Sequence, residues 1–133
     1  MTTELTYLVL TMMLAASLWI PYIVGVNKHP QDGVDPFERP APLSDFPAWV
    51  HRAHRAHLNL LEGALPFGAL ILIAHMLEVS TFVTVWGAAL FFWLRLAHAV
   101  GFIAGWARLP LRPILFTASW AVTMAIGVQL LIA

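Results

Sequence analysis

Four long apolar stretches constrain this chain more than any other feature. They cover residues 5–26, 57–77, 82–104 and 111–133 of the 133-residue sequence. Each holds about 20 residues, which as a helix rising about 1.5 Å per residue crosses roughly 30 Å of hydrocarbon. Because a lipid interior offers no water to unpaired backbone groups, helices are the spanning structure that this pattern permits. The sequence therefore predicts an all-α integral membrane protein with four spans.

The composition agrees with a membrane location. Hydrophobic residues make up 60% of the chain and charged residues 11%, a balance typical of multi-pass membrane proteins. The formal net charge of zero gives no indication of a nucleic-acid partner. The sequence has no cysteine, so any thiol chemistry must come with a ligand. The first span lacks the basic segment and cleavage pattern of a signal peptide, and we expect it to be retained.

The connections between the spans predict how the helices are arranged. Prolines 30, 36, 40, 42 and 47 predict an irregular loop before the second span. We expect the second helix to begin near Ser44 or Asp45, with Pro47 in its first turn. The other connections are short, which favours an up-down bundle in one domain over residues 1–133. The expected helices cover about 5–26, 46–77, 82–104 and 111–133.

Basic residues predict the orientation in the membrane. They concentrate in and beside the first and third connections, at Lys28, Arg39, Arg52, Arg55, Arg108 and Arg112. By the positive-inside rule these connections face the cytoplasm, and both termini lie on the non-cytoplasmic side. The short loops and the absence of a retention signal indicate a bacterial inner membrane.

A polar stripe enters the membrane on the second helix. Arg52, Arg55, Asn59 and Glu62 fall within an arc of about 80°. Glu62 lies about a turn and a half inside the span, and Arg95 lies roughly 13 Å from the cytoplasmic end of the third. Because an unpaired charge at that depth is costly, we expect Glu62 and Arg95 to pair.

Arg108 and Arg112 begin the fourth span at the level of this stripe and complete a basic cluster. Such a cluster suits a small anionic ligand with carboxylates, and a guanidinium beside a ligand thiol would lower its pKa and favour the thiolate. Basic residues at helix ends also serve as topology signals and headgroup contacts. That alternative does not account for polar groups inside the spans, such as Asn59.

Histidines allow a different interpretation of the same helix. His51, His54 and His57 are spread over about 120° of helix and could offer two metal ligands at a time. No cysteine or well-spaced carboxylate completes a site. We therefore predict no metal and interpret these histidines as interfacial or supporting residues.

Two motifs resemble one family, the membrane-associated proteins in eicosanoid and glutathione metabolism (MAPEG). The segment "HRAHRAHLNLLEGALPF" is similar to the family's second-helix signature at Arg52, Arg55, Ala56, His57, Asn59, Glu62, Pro66 and Phe67. The segment "RLAHAVGFIAGWARLPLR" resembles the passage from the third helix to the fourth, with Arg95 and His98 in place and an R-x-P-x-R ending. With the four spans, the resemblance covers essentially the whole chain.

The resemblance implies a homotrimer that binds glutathione between subunits near the cytoplasmic face and takes a lipophilic substrate from the bilayer. It implies a glutathione-dependent transferase or peroxidase acting on lipophilic electrophiles or hydroperoxides. Arg112 matches an arginine that stabilises the thiolate. Arg55, Asn59, Glu62 and Arg95 match residues of the glutathione site, and Arg52 and Arg108 are outer electrostatic contacts.

The sequence departs from the family pattern at His51, Gly63, Phe102 and Pro113. Phe102 occupies or adjoins the place of a tyrosine in many members, and a phenylalanine donates no hydrogen bond. The alternative is a lipid-binding or scaffold membrane protein of the same fold without catalysis, in which the polar stripe holds the trimer together.

Overall fold

The computed structural model describes residues 1–35 and 37–133. Pro36, one of the prolines that predict an irregular first connection, lies outside the described residues. Within them the chain forms the helices α1 Thr3–Ser17, α2 Trp19–Lys28, α3 Ala48–Met76, α4 Phe82–Ala104 and α5 Leu111–Ile132, with a 3₁₀ turn at Leu43–Asp45. Four helical segments are long and apolar enough to cross a membrane, α1 and α2 together counting as one. The prediction of an all-α integral membrane protein with four spans is confirmed.

The first span is two helices and not the single helix predicted over 5–26. The break falls at Leu18, where ψ is −9°. Pro21 explains it, because a proline has no amide hydrogen and its ring crowds the carbonyl four residues earlier, which here belongs to Ser17. The chain resumes as α2 at Trp19.

The second span begins later than predicted. Ser44 and Asp45 lie in the 3₁₀ turn and do not cap α3, and Pro47 precedes the helix instead of lying in its first turn. Pro47 has φ −53° and ψ 146°, which is outside the helical region. Phe46 has an extended backbone, with φ −99° and ψ 160°, as expected for a residue before proline. The helix therefore begins at Ala48.

Contacts between the helix ends show the up-down arrangement. Glu4 of α1 accepts hydrogen bonds from the hydroxyls of Ser80, at 2.7 Å, and Thr84, at 3.0 Å. The start of α1 therefore lies beside the connection from α3 to α4. At the other end, Arg52 of α3 donates to the carbonyl oxygen of Ile103 near the end of α4, at 3.3 Å. We call the end that holds Arg52 and Ile103 the basic end.

Two apolar clusters hold the bundle together. The first, towards the N-terminal end of α1, contains Phe67 and Phe91, whose stacked rings have centroids 3.9 Å apart. The second lies nearer the basic end and consists of Ala15, Leu18, Ala56, Leu60, Ala64 and Ala99. Small residues let membrane helices approach closely. The alanine-rich cluster therefore brings α3 and α4 together where each carries its polar residues.

Candidate functional site

The polar stripe of α3 runs along the edge of the bundle. The neighbouring apolar face of α3 is buried in the bundle, at Val50, Ala53, Ala56, Leu60 and Ala64. Arg52 and Asn59 are partly buried, whereas Arg55 and Glu62 are exposed on the surface of the chain. The stripe thus has one side against α4 and another that faces outward.

Arg95 is the most enclosed member of the predicted site, with 2% of its surface exposed. One terminal nitrogen, Nη2, donates to the backbone carbonyl oxygen of Asn59 and, at 2.8 Å, to its side-chain Oδ1. The guanidinium lies directly over the α3 backbone, since a Cβ at Gly63 would be 3.5 Å from its Cζ. Its Nε is enclosed by protein and has no partner within the described residues.

The predicted pairing of Arg95 with Glu62 does not form within the described residues of the chain. The hydrogen bonds of Arg95 go to Asn59, one turn nearer the basic end of α3. Glu62 lines a cavity together with Arg95, so its carboxylate remains close enough to favour the guanidinium charge. Arg95 is therefore fixed mainly by an amide and a carbonyl.

Two arginines donate hydrogen bonds to backbone carbonyls at the end of α4. Gly105 ends this helix in the left-handed conformation, at φ 86°. Arg52 donates from Nε and Nη2 to the Ile103 carbonyl oxygen, and Arg108 donates from Nε to the Gly105 carbonyl oxygen at 3.2 Å. Cations at the carboxyl end of a helix satisfy free carbonyls and complement its dipole. Arg52 and Arg108 thus have structural partners here.

Arg112 has a different kind of partner. Its Cζ lies 4.0 Å from the centroid of the Phe102 ring, a cation–π contact between α5 and α4. The ring of Phe102 in turn lies 5.9 Å, centroid to centroid, from the imidazole of His98. The ring face of Phe102 therefore supports the guanidinium of Arg112.

A row of three cavities follows α5 inward from the basic end. The outer cavity, about 370 Å³, has Arg52, Arg108 and Arg112 in its wall. The middle cavity, about 310 Å³, is lined by Asn59, His98, Leu109, Arg112, Pro113 and Phe116. The inner cavity, about 170 Å³, includes Glu62, Arg95, Phe116, Trp120 and Thr123. Adjacent cavities share Arg112 and then Phe116 in their walls, so the three cavities follow one another along one side of α5.

The row brings together six of the seven predicted site residues. Arg52, Arg108 and Arg112 line the outer cavity, Asn59 the middle one, and Glu62 and Arg95 the inner one. Arg55 lines none of the three and points away on the exposed side of α3. Within the single chain, Arg55 is therefore separate from the others.

Sequence reasoning missed Phe116 as a site residue. Its ring lies between the middle and inner cavities, and the Cζ of Arg95 is 5.7 Å from its centroid. The signal was the spacing of Arg112, Phe116 and Trp120, four residues apart on one face of α5. Which face of α5 meets α3 and α4 depends on packing, so the spacing alone did not identify it.

The histidine series of α3 supplies no evident metal centre. The ring of His54 packs against Tyr22, with centroids 4.8 Å apart. The Nδ1 atoms of His54 and His57 are enclosed without a hydrogen-bond partner in the part of the chain that is described. Nowhere in that part do three histidine, aspartate or glutamate side chains gather as metal ligands would.

Fold and site together define a multi-pass integral membrane protein of four spans, with an arginine-lined row of cavities at one end. The model of the MAPEG family matches residues 5–132. The chain belongs to the MAPEG family, and the family assignment made from the sequence is confirmed. No curated protein and no solved structure matches the chain.

Proposed function

We propose that the protein is a glutathione-dependent membrane transferase or peroxidase that acts on lipophilic electrophiles or hydroperoxides. The MAPEG family as a whole is associated with glutathione and lipid metabolism, and this chain belongs to it. The proposal rests on one observation in particular, the position of Arg112 in the wall of both the outer and the middle cavity.

Arg112 suits the stabilisation of an anion because no carboxylate in the described wall of the outer or middle cavity pairs with its guanidinium. The described residues lining the outer and middle cavities include three arginines and no acidic side chain. The cation–π contact with Phe102 holds the guanidinium in place without neutralising it. A thiol bound beside it would ionise more readily, since the nearby cation favours the thiolate.

The carboxylates of glutathione find suitable partners in the same cavities. Arg52 and Arg108 retain donor nitrogens beyond those they give to the end of α4, and a guanidinium carries five donor hydrogens in all. The volume of these cavities lies in the range of small-molecule sites. In the transferase reaction the thiolate sulfur bonds to the electrophilic carbon and the leaving group departs with its electron pair.

The lipophilic substrate has its own route. The inner cavity continues the row towards the middle of the bundle and is walled by Pro66, Phe91, Phe116 and Trp120 among others. Trp120 is exposed on the subunit surface, about 12 Å along α5 from Arg112. An apolar molecule dissolved in the bilayer would reach the thiolate from this side.

We further propose a homotrimer, in which a neighbouring subunit covers the outward side of the polar stripe. Arg55 and Glu62 are exposed on the single subunit, although Glu62 is placed inside the span and charged groups there avoid lipid. A second copy that covers this side would bring Arg55 to the site. The bacterial inner membrane and the non-cytoplasmic position of both termini stay predictions from the sequence.

The proposal is tested by glutathione binding to the protein in nanodiscs, with thiolate absorbance recorded in the same titration. We expect saturable binding with a thiolate signal that Arg112→Ala loses while the melting temperature is preserved. The matched control is Arg39→Ala, which removes a positive charge from the exposed first connection and should leave the signal intact. No binding at millimolar glutathione, or a thiolate signal that survives Arg112→Ala, would contradict the proposal.

The second candidate is a lipid-binding or scaffold protein without catalysis. It is favoured by the contacts of Arg95, whose hydrogen bonds serve the α3–α4 interface and not a ligand. Under this candidate, glutathione leaves the melting temperature unchanged, whereas under the first it raises it, because a ligand that binds only the folded state stabilises that state.

A further inference from the structure

A separate cavity lies at the end of the bundle opposite the basic end. It measures about 360 Å³ and lies where α1 begins and where the chain turns from α3 into α4. Its wall includes the carboxylates of Glu4 and Glu78, and its described lining residues include no lysine or arginine. The charge of this wall is therefore opposite to that of the outer cavity, which holds three arginines.

Glu4 is the most enclosed polar side chain in this wall, with 5% of its surface exposed. The hydroxyls of Ser80 and Thr84 both donate to one carboxylate oxygen, Oε1. The other oxygen, Oε2, accepts neither of these hydrogen bonds, and it is not one of the unpartnered atoms that protein encloses completely. Oε2 therefore borders accessible space, and the position of Glu4 in the wall identifies that space as the cavity.

A carboxylate enclosed to this degree needs more compensation than two hydroxyls supply. Burial removes the water that would stabilise its charge, and charged groups within membrane spans pair with groups of opposite charge. Glu4 lies in α1, which belongs to the first span. No lysine or arginine in the described part of the cavity wall supplies the opposite charge. The cavity itself is thus the place where a cation would compensate Glu4.

The arrangement favours an ammonium group over a metal ion. Glu4, His75 and Glu78 share the wall, but the described residues hold no three such side chains placed as metal ligands. The cavity volume lies in the range of small-molecule sites. An ammonium group carries three donor hydrogens, which suit the carboxylates of Glu4 and Glu78. The last turn of α3 also lines the cavity, and the carboxyl end of a helix favours a cation.

The position of the cavity points to the headgroup region of the bilayer. Here α1 and α4 begin and α3 ends, and each belongs to a membrane span. The ends of spans lie where hydrocarbon gives way to headgroups. Met76, Leu77 and Phe82 at this end are largely exposed and apolar. Acyl chains would therefore find an apolar surface beside the acidic wall.

We propose that this cavity binds a primary ammonium group, with the carboxylate of Glu4 as its main partner and that of Glu78 as a second acceptor. The ammonium belongs either to a lipid headgroup or to a free amine, since both present the same donors. The site does not depend on the proposed glutathione chemistry, because the arginine-lined cavities lie at the other end of the bundle.

Lipid retention tests the proposal on the full-length protein. The protein is released from nanodiscs with equal amounts of phosphatidylethanolamine and phosphatidylcholine, and the lipids that stay bound are counted by native mass spectrometry. We expect the wild type to retain phosphatidylethanolamine over phosphatidylcholine by about 10-fold, because three methyl groups on the nitrogen remove its charge-assisted hydrogen bonds. Glu4→Gln keeps an acceptor oxygen for the hydroxyls but removes the charge, and its ratio should fall towards one. The matched control, Glu38→Gln in the exposed first connection, should keep the wild-type ratio.

A second variant and a soluble amine complete the test. Glu78 is exposed, so Glu78→Gln should fold as the wild type does and should also lower the ratio. Ethanolamine added to nanodiscs of phosphatidylcholine alone distinguishes the two sources of the ammonium. A rise in melting temperature that Glu4→Gln loses would show that a free amine suffices, whereas no rise together with the lipid preference would assign the site to a headgroup.

Two results would overturn the ammonium site. One is a wild-type lipid ratio of one without any effect of ethanolamine on melting. The other is a preference for phosphatidylethanolamine that both Glu4→Gln and Glu78→Gln retain, because the lipid would then bind elsewhere on the protein.

Discussion

The contact between Arg112 and Phe102 provides the sharpest test of how this site holds its cation. Phe102→Leu removes the ring but keeps a branched apolar side chain of similar reach. With Cζ 4.0 Å from the ring centroid, the cation–π interaction is well within the distance at which it is significant, and such contacts contribute about 0.5 to 2 kcal/mol. Arg112 would then be free to leave its position at the boundary of the outer and middle cavities.

This interaction energy sets the expected loss of the thiolate signal in Phe102→Leu. If the contact holds Arg112 where it stabilises the thiolate, its removal should weaken the thiolate signal of bound glutathione by about 2- to 30-fold. Turnover should fall by a similar factor, while the affinity for glutathione changes less because Arg52 and Arg108 are untouched. Phe102→Tyr is the matched control, since it keeps the ring face and should retain the signal.

The assay is thiolate absorbance and turnover measured on the wild type and both variants in nanodiscs. A signal of equal size in Phe102→Leu and the wild type, with Arg112→Ala still inactive, would refute the idea that the ring positions the guanidinium. A loss in Phe102→Tyr as large as in Phe102→Leu would refute it as well, because the ring face would then not be the relevant feature.

Two further predictions concern stability. Arg95→Leu removes the donor that Nη2 provides to both oxygens of Asn59, and we expect a loss of about 3 kcal/mol and a melting temperature lower by roughly 10 °C. A shift within experimental error would show that this interface carries little stability. Glu4 is 5% exposed, and Glu4→Leu deprives the hydroxyls of Ser80 and Thr84 of their acceptor, at a cost of about 2 kcal/mol. Glu4→Gln keeps an acceptor oxygen and should melt closer to the wild type, and equal melting of the two variants would argue against the hydrogen bonds.

Hydropathy predicted the four spans because it is a local property of about 20 residues, and α4 has the predicted bounds 82–104. The ends of the helices depended on proline geometry. The single helix predicted over residues 5–26 was wrong because Pro21 crowds the carbonyl of Ser17, and the span breaks at Leu18. The start of the second span was placed too early because Pro47 was assigned to the first turn when it precedes the helix.

The site was harder to predict than the fold because the hydrogen-bond partner of each polar side chain depends on side-chain geometry. A charge argument selected Glu62 for Arg95, yet the guanidinium reaches Asn59, whose carbonyl and amide oxygens both lie within its range. The cavity row depended on how α5 is rotated against α3 and α4, which no spacing within one helix reveals. Spacing did identify the stripe itself, since Arg52, Asn59 and Glu62 all line cavities of the row.

Under the proposed function, the order of residues along α5 lets one site suit two reactants of opposite solubility. Arg112 lies one residue inside the start of the helix, beside arginines whose charge would attract a water-soluble anion to the basic end. Phe116 and Trp120 follow at one-turn intervals and line cavities that lie progressively farther from the basic end. A polar thiol would lose its hydration in the inner cavity, and an apolar electrophile would gain nothing in the outer one. The middle cavity, between them, is the place where both are tolerated, and it is there that Arg112 and His98 lie in one wall.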